Sequence, residues 1–455
     1  MRIDKELFLI PVGDRFLVYA PLRNVILSVG TQTARFLSEI HASGGDIHAV
    51  ENDPVIRTLM QNGIIGGEPE MKPEFPGNHD YAPTRLTLFL TNTCNLACRY
   101  CYANANIRPM TMPAEIGKAA IDFVIENAQK LCRDRIEVGF HGGGEPTAAW
   151  TVFQTLVCYA RTKSDNTRLK SSIGMSSNGC FGPERARWIA DNLDNVSISI
   201  DGPPGIQDEQ RPLLNGNPSS PLLKEGIRVL DDKGFNYSFQ VTITRKHLHQ
   251  ILNIVEYLTS EFNPRIIKIE PVSPAGRCYE QRELVPDMMH FAEAFNHAFE
   301  VAKHKGIQLH FSGMRPLGSH VACFCGAFNE PFNITPDGLI SACFETTDAC
   351  APYANTFIIG KFEEGKRTFT IDSERLELLR SRNINQLETC QDCFCKYSCG
   401  GDCATRNFRF YNDVNLTLTG ARCEAIRKIT LFRLQHYVDE IERRAHPRNE
   451  ELVYG

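Results

Sequence analysis

The spacing of apolar residues along the chain changes character twice. Near the N-terminus, LFLIPV, RFLVYAP and NVILSVG are short apolar runs with turn residues between them, a pattern that predicts three strands. TARFLSEIHAS and PVIRTLMQNGII then place apolar residues at helical spacing. Residues 1–75 therefore read as a small separate α+β unit. GGEPEMKPEFPGNHDYAP follows, rich in glycine, proline and charge and without a period. Residues 76–84 read as its linker.

From Arg85 strands alternate with helices. LTLFL, IEVGF, SSIGM, VSISI, SFQVTIT and IIKIEPV are six strand-like runs, several continuously apolar. AEIGKAAIDFVIENAQKL, PERARWIADNL, LLKEGIRVLDD and LHQILNIVEYLTSEF lie between them at helical period. This alternation predicts an α/β core over residues 85–310, a parallel sheet either doubly wound or closed as a partial barrel. Such sheets carry their chemistry at the carboxyl ends of the strands. After about residue 310 the alternation stops. Short segments between cysteines run to Cys423, and EAIRKITLFRLQHYVDEIERR closes the chain as an amphipathic helix, so residues 311–455 read as a cysteine-rich domain.

Composition alters this picture at one point. Hydrophobic and charged fractions of 42% and 23% are ordinary, and a net charge of −5 gives no basic field for nucleic acid. No run of about 18 apolar residues marks a membrane span, and the charged N-terminus lacks the apolar core of a signal peptide. A cytoplasmic location is expected. Seventeen cysteines are then the anomaly, because cytosolic thiols stay reduced and clustered ones serve as metal ligands. They group as Cys94, Cys98 and Cys101; as Cys323, Cys325, Cys343 and Cys350; and as Cys390, Cys393, Cys395, Cys399, Cys403 and Cys423. Cys132, Cys158, Cys180 and Cys278 stand alone and read as small buried hydrophobes.

The loop after the first core strand, TNTCNLACRYCYAN, spaces its thiols as Cys-x3-Cys-x2-Cys. Three thiolates can each hold one iron of a [4Fe–4S] cubane and leave the fourth iron open to a bidentate amino-acid group. A structural zinc site would instead show paired two-cysteine knuckles. After the second strand comes FHGGGEPT, residues 140–147, and further on SSNG, SISIDGP and QDEQRP. In this order the motifs resemble the radical SAM superfamily. The resemblance implies reductive cleavage of S-adenosylmethionine (SAM) at the Cys94, Cys98 and Cys101 cluster to a 5′-deoxyadenosyl radical. It also implies SAM contacts at Tyr100, Gly143, Gly144, Glu145, Pro146, Ser177, Asn178, Ser199, Asp201 and Arg211. A second Gly-Gly-Glu-Pro, Gly66–Pro69, precedes the cluster and follows no strand, so it is read as a chance string.

Cys325, Gly338-x4-Cys343, Cys390-x2-Cys393-x5-Cys399-x3-Cys403 and Cys423 resemble the SPASM domain, the auxiliary-cluster extension of peptide and protein maturases. By that resemblance Cys390, Cys393, Cys399 and Cys423 hold one further [4Fe–4S] cluster, and Cys325, Cys343 and Cys403 another. The latter set is one ligand short, since several relatives use the position occupied here by Pro331. Cys323 or Cys350 can complete it, or it stays open to a substrate thiolate; Cys395 has no assigned role. Residues 1–75 resemble the winged-helix-like domain by which such maturases bind a leader peptide. The expected protein is thus a partial (β/α)6 barrel enzyme with three [4Fe–4S] clusters and SAM. It cross-links a ribosomally made precursor peptide, with a thioether favoured over carbon–carbon or carbon–oxygen bonds, and draws electrons from a flavodoxin- or ferredoxin-like donor. Two alternatives stand beside this reading: a maturase of a larger protein such as a sulfatase, and a non-catalytic iron–sulfur or zinc protein. The front unit is expected to supply binding alone, so that its removal would leave SAM cleavage largely intact.

Overall fold

A computed structural model describes residues 3–43, 54–74 and 80–445. Residues 75–79, which include most of the first half of the expected linker, lie outside them. The chain forms two compact units: residues 1–77, 313–324 and 383–455 make one, and residues 78–312 and 325–382 the other.

The first unit opens with β1 (Phe8–Val12), β2 (Arg15–Ala20) and β3 (Val25–Gly30), an antiparallel sheet in that order. Helices α1 (Thr31–Ser43) and α2 (Pro54–Gln61) follow. The three predicted strands and two helices are all present. One face of the sheet, through Val18, Ala20, Val25 and Val29, packs on Leu37, Ile56 and Leu59. The other face is covered as well, which is why the strand runs are apolar throughout instead of alternating.

The second unit begins with β4 (Arg85–Phe89), α3 (Ala114–Lys130), β5 (Arg135–His141), α4 (Trp150–Thr167), β6 (Lys170–Ser177), α5 (Gly182–Asn192) and β7 (Asn195–Ser199). It continues through α6 (Pro204–Gln210), α7 (Ser220–Asp232), β8 (Tyr237–Ile243), α8 (Ile251–Glu261), β9 (Ile266–Pro271), α9 (Met288–His304) and β10 (Gln308–His310). The six expected core strands are β4 to β9, all parallel. β10 adds a seventh parallel strand beside β9; three residues are too few for a sequence period to register. Beyond it the sheet resumes on the free side of β4. β11 (Asn333–Ile334) runs parallel to β4, and β12 (Leu339–Ser341), β13 (Ile358–Glu363) and β14 (Thr368–Ile371) extend it antiparallel. Short α10 (Ala354–Phe357) and α11 (Ser373–Arg380) accompany them. The compact units therefore do not follow the boundary expected near residue 310. Residues 325–382 of the expected cysteine-rich segment belong with the barrel sheet.

The remainder of that segment completes the first unit, with α12 (Lys396–Cys399), α13 (Ala404–Tyr411) and α14 (Ala421–Ala445). Leu434 and Val438 of α14 pack against Ile10, Leu17 and Tyr19, on the face of the front sheet that α1 and α2 leave uncovered. Leu22 packs beside Ile384, Leu387, Tyr397 and Cys390. The front sheet and the third cysteine group thus share one core. Among the described residues no helix is long and apolar enough to cross a membrane.

This sharing changes the outcome expected of a front truncation. Without residues 1–74, Leu434 and Tyr397 lose their cover, and the truncated protein is expected to unfold around α12 and α14 while the second unit stays folded. Limited proteolysis with mass spectrometry checks it. Leu434→Ala in the intact chain should cost about 2–5 kcal/mol in denaturant unfolding.

Candidate active site

The first cysteine group lies on the loop between β4 and α3. This loop has no repeating pattern, and segments far along the chain hold its backbone. Ala97 N–H donates to Pro212 O at 2.9 Å, Arg99 N–H to Gln210 O at 3.1 Å, and Leu214 N–H to Asn95 O at 2.9 Å. The Arg277 guanidinium donates to Cys98 O at 2.9 Å and to Ala105 O at 2.7 Å. Asn106 accepts from Cys94 N–H at 2.8 Å and returns a bond to Cys94 O at 3.0 Å. Gly276, at φ +52, comes so close that a Cβ there would stand 2.2 Å from Cys101 O. Only glycine meets both conditions.

Cys94, Cys98 and Cys101 line one cleft of about 630 Å³ together with the carboxyl ends of the core strands. Tyr100, Gly143, Gly144, Glu145, Ser177, Asn178, Ser199 and Arg211 line the same cleft; Pro146 and Asp201 do not. The glycine segment after β5 sits against the cysteine loop. Glu145 N–H donates to Thr93 O at 2.9 Å, and a Cβ on Gly144 would meet that oxygen at 2.1 Å. The buried Glu145 carboxylate accepts from Thr147 N–H, Thr147 Oγ1 and Ser177 Oγ on Oε1, and from Asn178 N–H on Oε2. Burial raises its carboxyl above the ordinary value despite these donors. Oε1 thus carries three of these donors and Oε2 one, which leaves Oε2 with capacity for a cationic donor.

Asp201 is fully buried and organises the opposite wall. Its Oδ2 accepts from the Tyr100 hydroxyl, from Gln210 Nε2 at 2.8 Å and from Arg211 Nε at 3.0 Å, while Oδ1 accepts from Thr242 N–H at 3.0 Å. The Arg211 guanidinium also stands 5.2 Å from the Tyr100 ring centre, within cation–π range. Asp201 therefore spends its acceptors on Tyr100 and Arg211, the residues that do face the cleft, and positions them.

Several cleft residues had no motif to reveal them. Gln240 and Lys268 share one register row with the expected Ser199 across β7, β8 and β9. Lys268 is exposed to the cleft and forms no ion pair among the described residues. Its only sequence signal is a charge at every second position of IIKIEP, the period of one strand face. His141 ends β5; burial, then the charge of Lys268, lowers it to about 4, so it stands neutral. Phe344 stacks on His141 with ring centres 4.6 Å apart, and Phe344 and Glu345, directly after Cys343, also line the cleft. The Gly66–Pro69 string belongs to the first unit, where the Glu68 carbonyl accepts from Arg23.

In the first unit, Cys390, Cys393, Cys399 and Cys423 converge on one small cavity, with Cys395, Lys396, Asp402 and Arg427 in its wall. A hydrogen bond from Cys395, backed by Arg427, lowers Cys393 to about 6. Burial raises Cys423 to about 11. Arg406 and Arg422 hold the Asp402 carboxyl well below its usual range against its burial. The third expected set is divided: Cys325 and Cys343 belong to one unit, Cys403 and Cys323 to the other.

Burial pushes Cys94 up to about 12 and Cys98 to about 11. Thiols so buried lose their protons only when positive charge replaces water, and a bound metal supplies it. Three cysteines around one cleft, and four around the smaller cavity, suit iron–sulfur ligation. Among the described residues no three His, Cys, Asp or Glu side chains are arranged to hold a single metal ion.

A parallel barrel with grouped thiols at its strand ends defines a cofactor-bearing α/β enzyme. The sequence matches the radical SAM superfamily over residues 88–258. An uncharacterized protein of Methanocaldococcus jannaschii is 31% identical over 214 residues, 46% of this chain and 70% of that one. The AdoMet-dependent heme synthase of Nitratidesulfovibrio vulgaris is 28% identical over 48% of this chain and 56% of its own. The mycofactocin maturase MftC of Mycolicibacterium smegmatis is 27% identical over 58% and 64%. The chain thus spans roughly half to seven-tenths of the length of these relatives. Among solved structures, Streptococcus suis SuiB bound to the precursor peptide SuiA shares the fold over 92% of this chain and 99% of its own, with a TM-score of 0.52 and 12% identity. The chain belongs to the radical SAM superfamily.

Gly276→Ala tests the clamp on the cysteine loop. The added methyl is expected to displace Cys101 and remove about four irons, with helix content by circular dichroism unchanged.

Proposed function

We propose that this radical SAM enzyme matures a ribosomally made precursor peptide, installing a cross-link for which a thioether is favoured. The observation that carries the peptide reading is the front sheet. β1 and β3 each pair only with β2, so among the described residues both are edges able to accept an extended peptide as an added strand. A maturase of a larger protein has no evident use for such a sheet.

Cys94, Cys98 and Cys101 would hold the SAM-binding [4Fe–4S] cluster, and Cys390, Cys393, Cys399 and Cys423 an auxiliary one. Cys325, Cys343 and Cys403, with or without Cys323, would hold the other. When bound, these groups would supply radical chemistry able to remove hydrogen from a substrate carbon. The chain's own residues bind and orient. Glu145 Oε2 would receive the methionine ammonium, with Gly143 and Gly144 letting the backbone approach. Ser177, Asn178, Ser199 and Arg211 would offer polar contacts to the cofactor, and Tyr100, held by Asp201, would offer its ring to the aromatic end. Phe344 and Glu345 carry the Cys343 segment to the edge of the same cleft, which supports a substrate thiolate held near the substrate radical. Electrons would arrive from a flavodoxin- or ferredoxin-like donor.

Anaerobic reconstitution should give about twelve irons per chain as three cubanes. Reduction with SAM should yield 5′-deoxyadenosine, and a cysteine-bearing precursor peptide, sought among the reading frames beside the gene, should lose two hydrogens by mass spectrometry. Replacing Cys94, Cys98 and Cys101 together by Ala should remove about four irons and all 5′-deoxyadenosine. A wild type with four irons and stoichiometric zinc would overturn the auxiliary clusters, and an unmodified peptide the substrate.

A further inference from the structure

We propose that Glu6, a residue of the front segment, sets the reduction potential of the cluster held by Cys390, Cys393, Cys399 and Cys423. The proposal rests on the cluster reading given above.

The cavity formed by these four cysteines has two cations in its wall, Lys396 and Arg427. Lys396 lies on the same short stretch of chain as three of the thiols, between Cys393 and Cys399, and is almost fully buried at 2% exposure. A buried ammonium needs a counter-charge. Lys396 takes it from the front segment: its Nζ meets Glu6 Oε2 at 2.5 Å and donates to Gln391 O at 2.8 Å. Glu6 is itself buried, and its other oxygen meets Lys72 Nζ at 3.0 Å, a lysine with a third of its side chain in solvent. The carboxylate thus joins the strand leading into β1 to the cysteine knot. All these residues belong to one compact unit.

The electrostatic consequence has a definite sign. A cluster gains negative charge on reduction, so a nearby cation favours the reduced form and a nearby anion the oxidised form. Lys396 raises the potential, and Glu6, by offsetting it, brings the potential down. Gln391 O still holds Lys396 in place when the Glu6 charge is removed. Glu6 is a positioning residue for Lys396 as well as its counter-charge. Since β1 begins at Phe8, two residues further on, whatever the front sheet binds lies beside a charge that the cluster senses.

The test is an EPR-monitored redox titration of reconstituted full-length protein as wild type, Glu6→Gln, Lys396→Met and the double variant. Iron content and the wild-type auxiliary signal are measured first; their absence would defeat the cluster reading itself, separately from the Glu6 proposal. With the cluster present, Glu6→Gln should raise its potential and Lys396→Met lower it. Each shift should correspond to about a tenfold change in the reduced-to-oxidised ratio at fixed potential, about 59 mV for one electron. The double variant should return toward wild type. Loss of packing alone would move both single variants the same way or release iron from both. Same-sign shifts, or unchanged potentials at full iron content, overturn the proposal. If Glu6→Gln alone fails to retain iron, Lys396→Met decides it: a lowered potential supports the proposal, and an unchanged or raised one overturns it.

Discussion

The cysteine loop after β4 has to hold three sulfurs around one cleft without a helical or strand period of its own. Asn106 brackets Cys94 from within the loop, and the other bonds come from elsewhere: Gln210 and Pro212 on one side, Arg277 and the glycine before it on another, Thr93 bridged to the Glu145 segment below. Every one of these segments leaves the carboxyl end of a core strand. The parallel sheet therefore serves less as a scaffold for single side chains than as the set of anchors from which one loop is suspended.

The charges of the cleft follow from the same enclosure. Burial disfavours the ionised forms of Cys94, Cys98 and Glu145, and keeps His141 neutral. Asp201 gathers Tyr100, Gln210, Arg211 and Thr242 around itself. The cleft then presents the guanidinium and ring of its partners while the carboxylate stays behind them. Ionic groups are retained where each is paired, and the sulfurs are left to be ionised by what they bind.

The six core strands were legible because each is long enough for a hydrophobic pattern to show, and the three front strands because both their faces are covered. The motif residues facing the cleft were legible because loops at strand ends combine glycine, cysteine and carboxylate in few other ways. β10 and β11, at three and two residues, were below that threshold. The role of Asp201 was half visible: the sequence pointed to it as a ligand contact, whereas its acceptors are taken up by protein donors. Lys268 and Gln240 were hidden because only register across strands, which no single segment encodes, brings them to the cleft, and Phe344 because it sits on the loop after β12, far along the chain from the core motifs. The union of the front sheet with α14 was hidden for the same reason on a larger scale, since apolar faces do not name their partners.

That union has a consequence for biosynthesis. Ile10, Leu17 and Tyr19 emerge from the ribosome early, but Leu434 and Val438, which cover them, come more than four hundred residues later. At about 5–20 residues per second, the front sheet waits some tens of seconds with one apolar face bare and both edges unpaired. The barrel between them can close meanwhile from largely local strand–helix contacts. The early and late segments then fold together, so the nascent chain carries this bare apolar face while the residues between them are made. Chaperone capture during translation, and sensitivity of the last helix to premature termination, are built into the order of the chain.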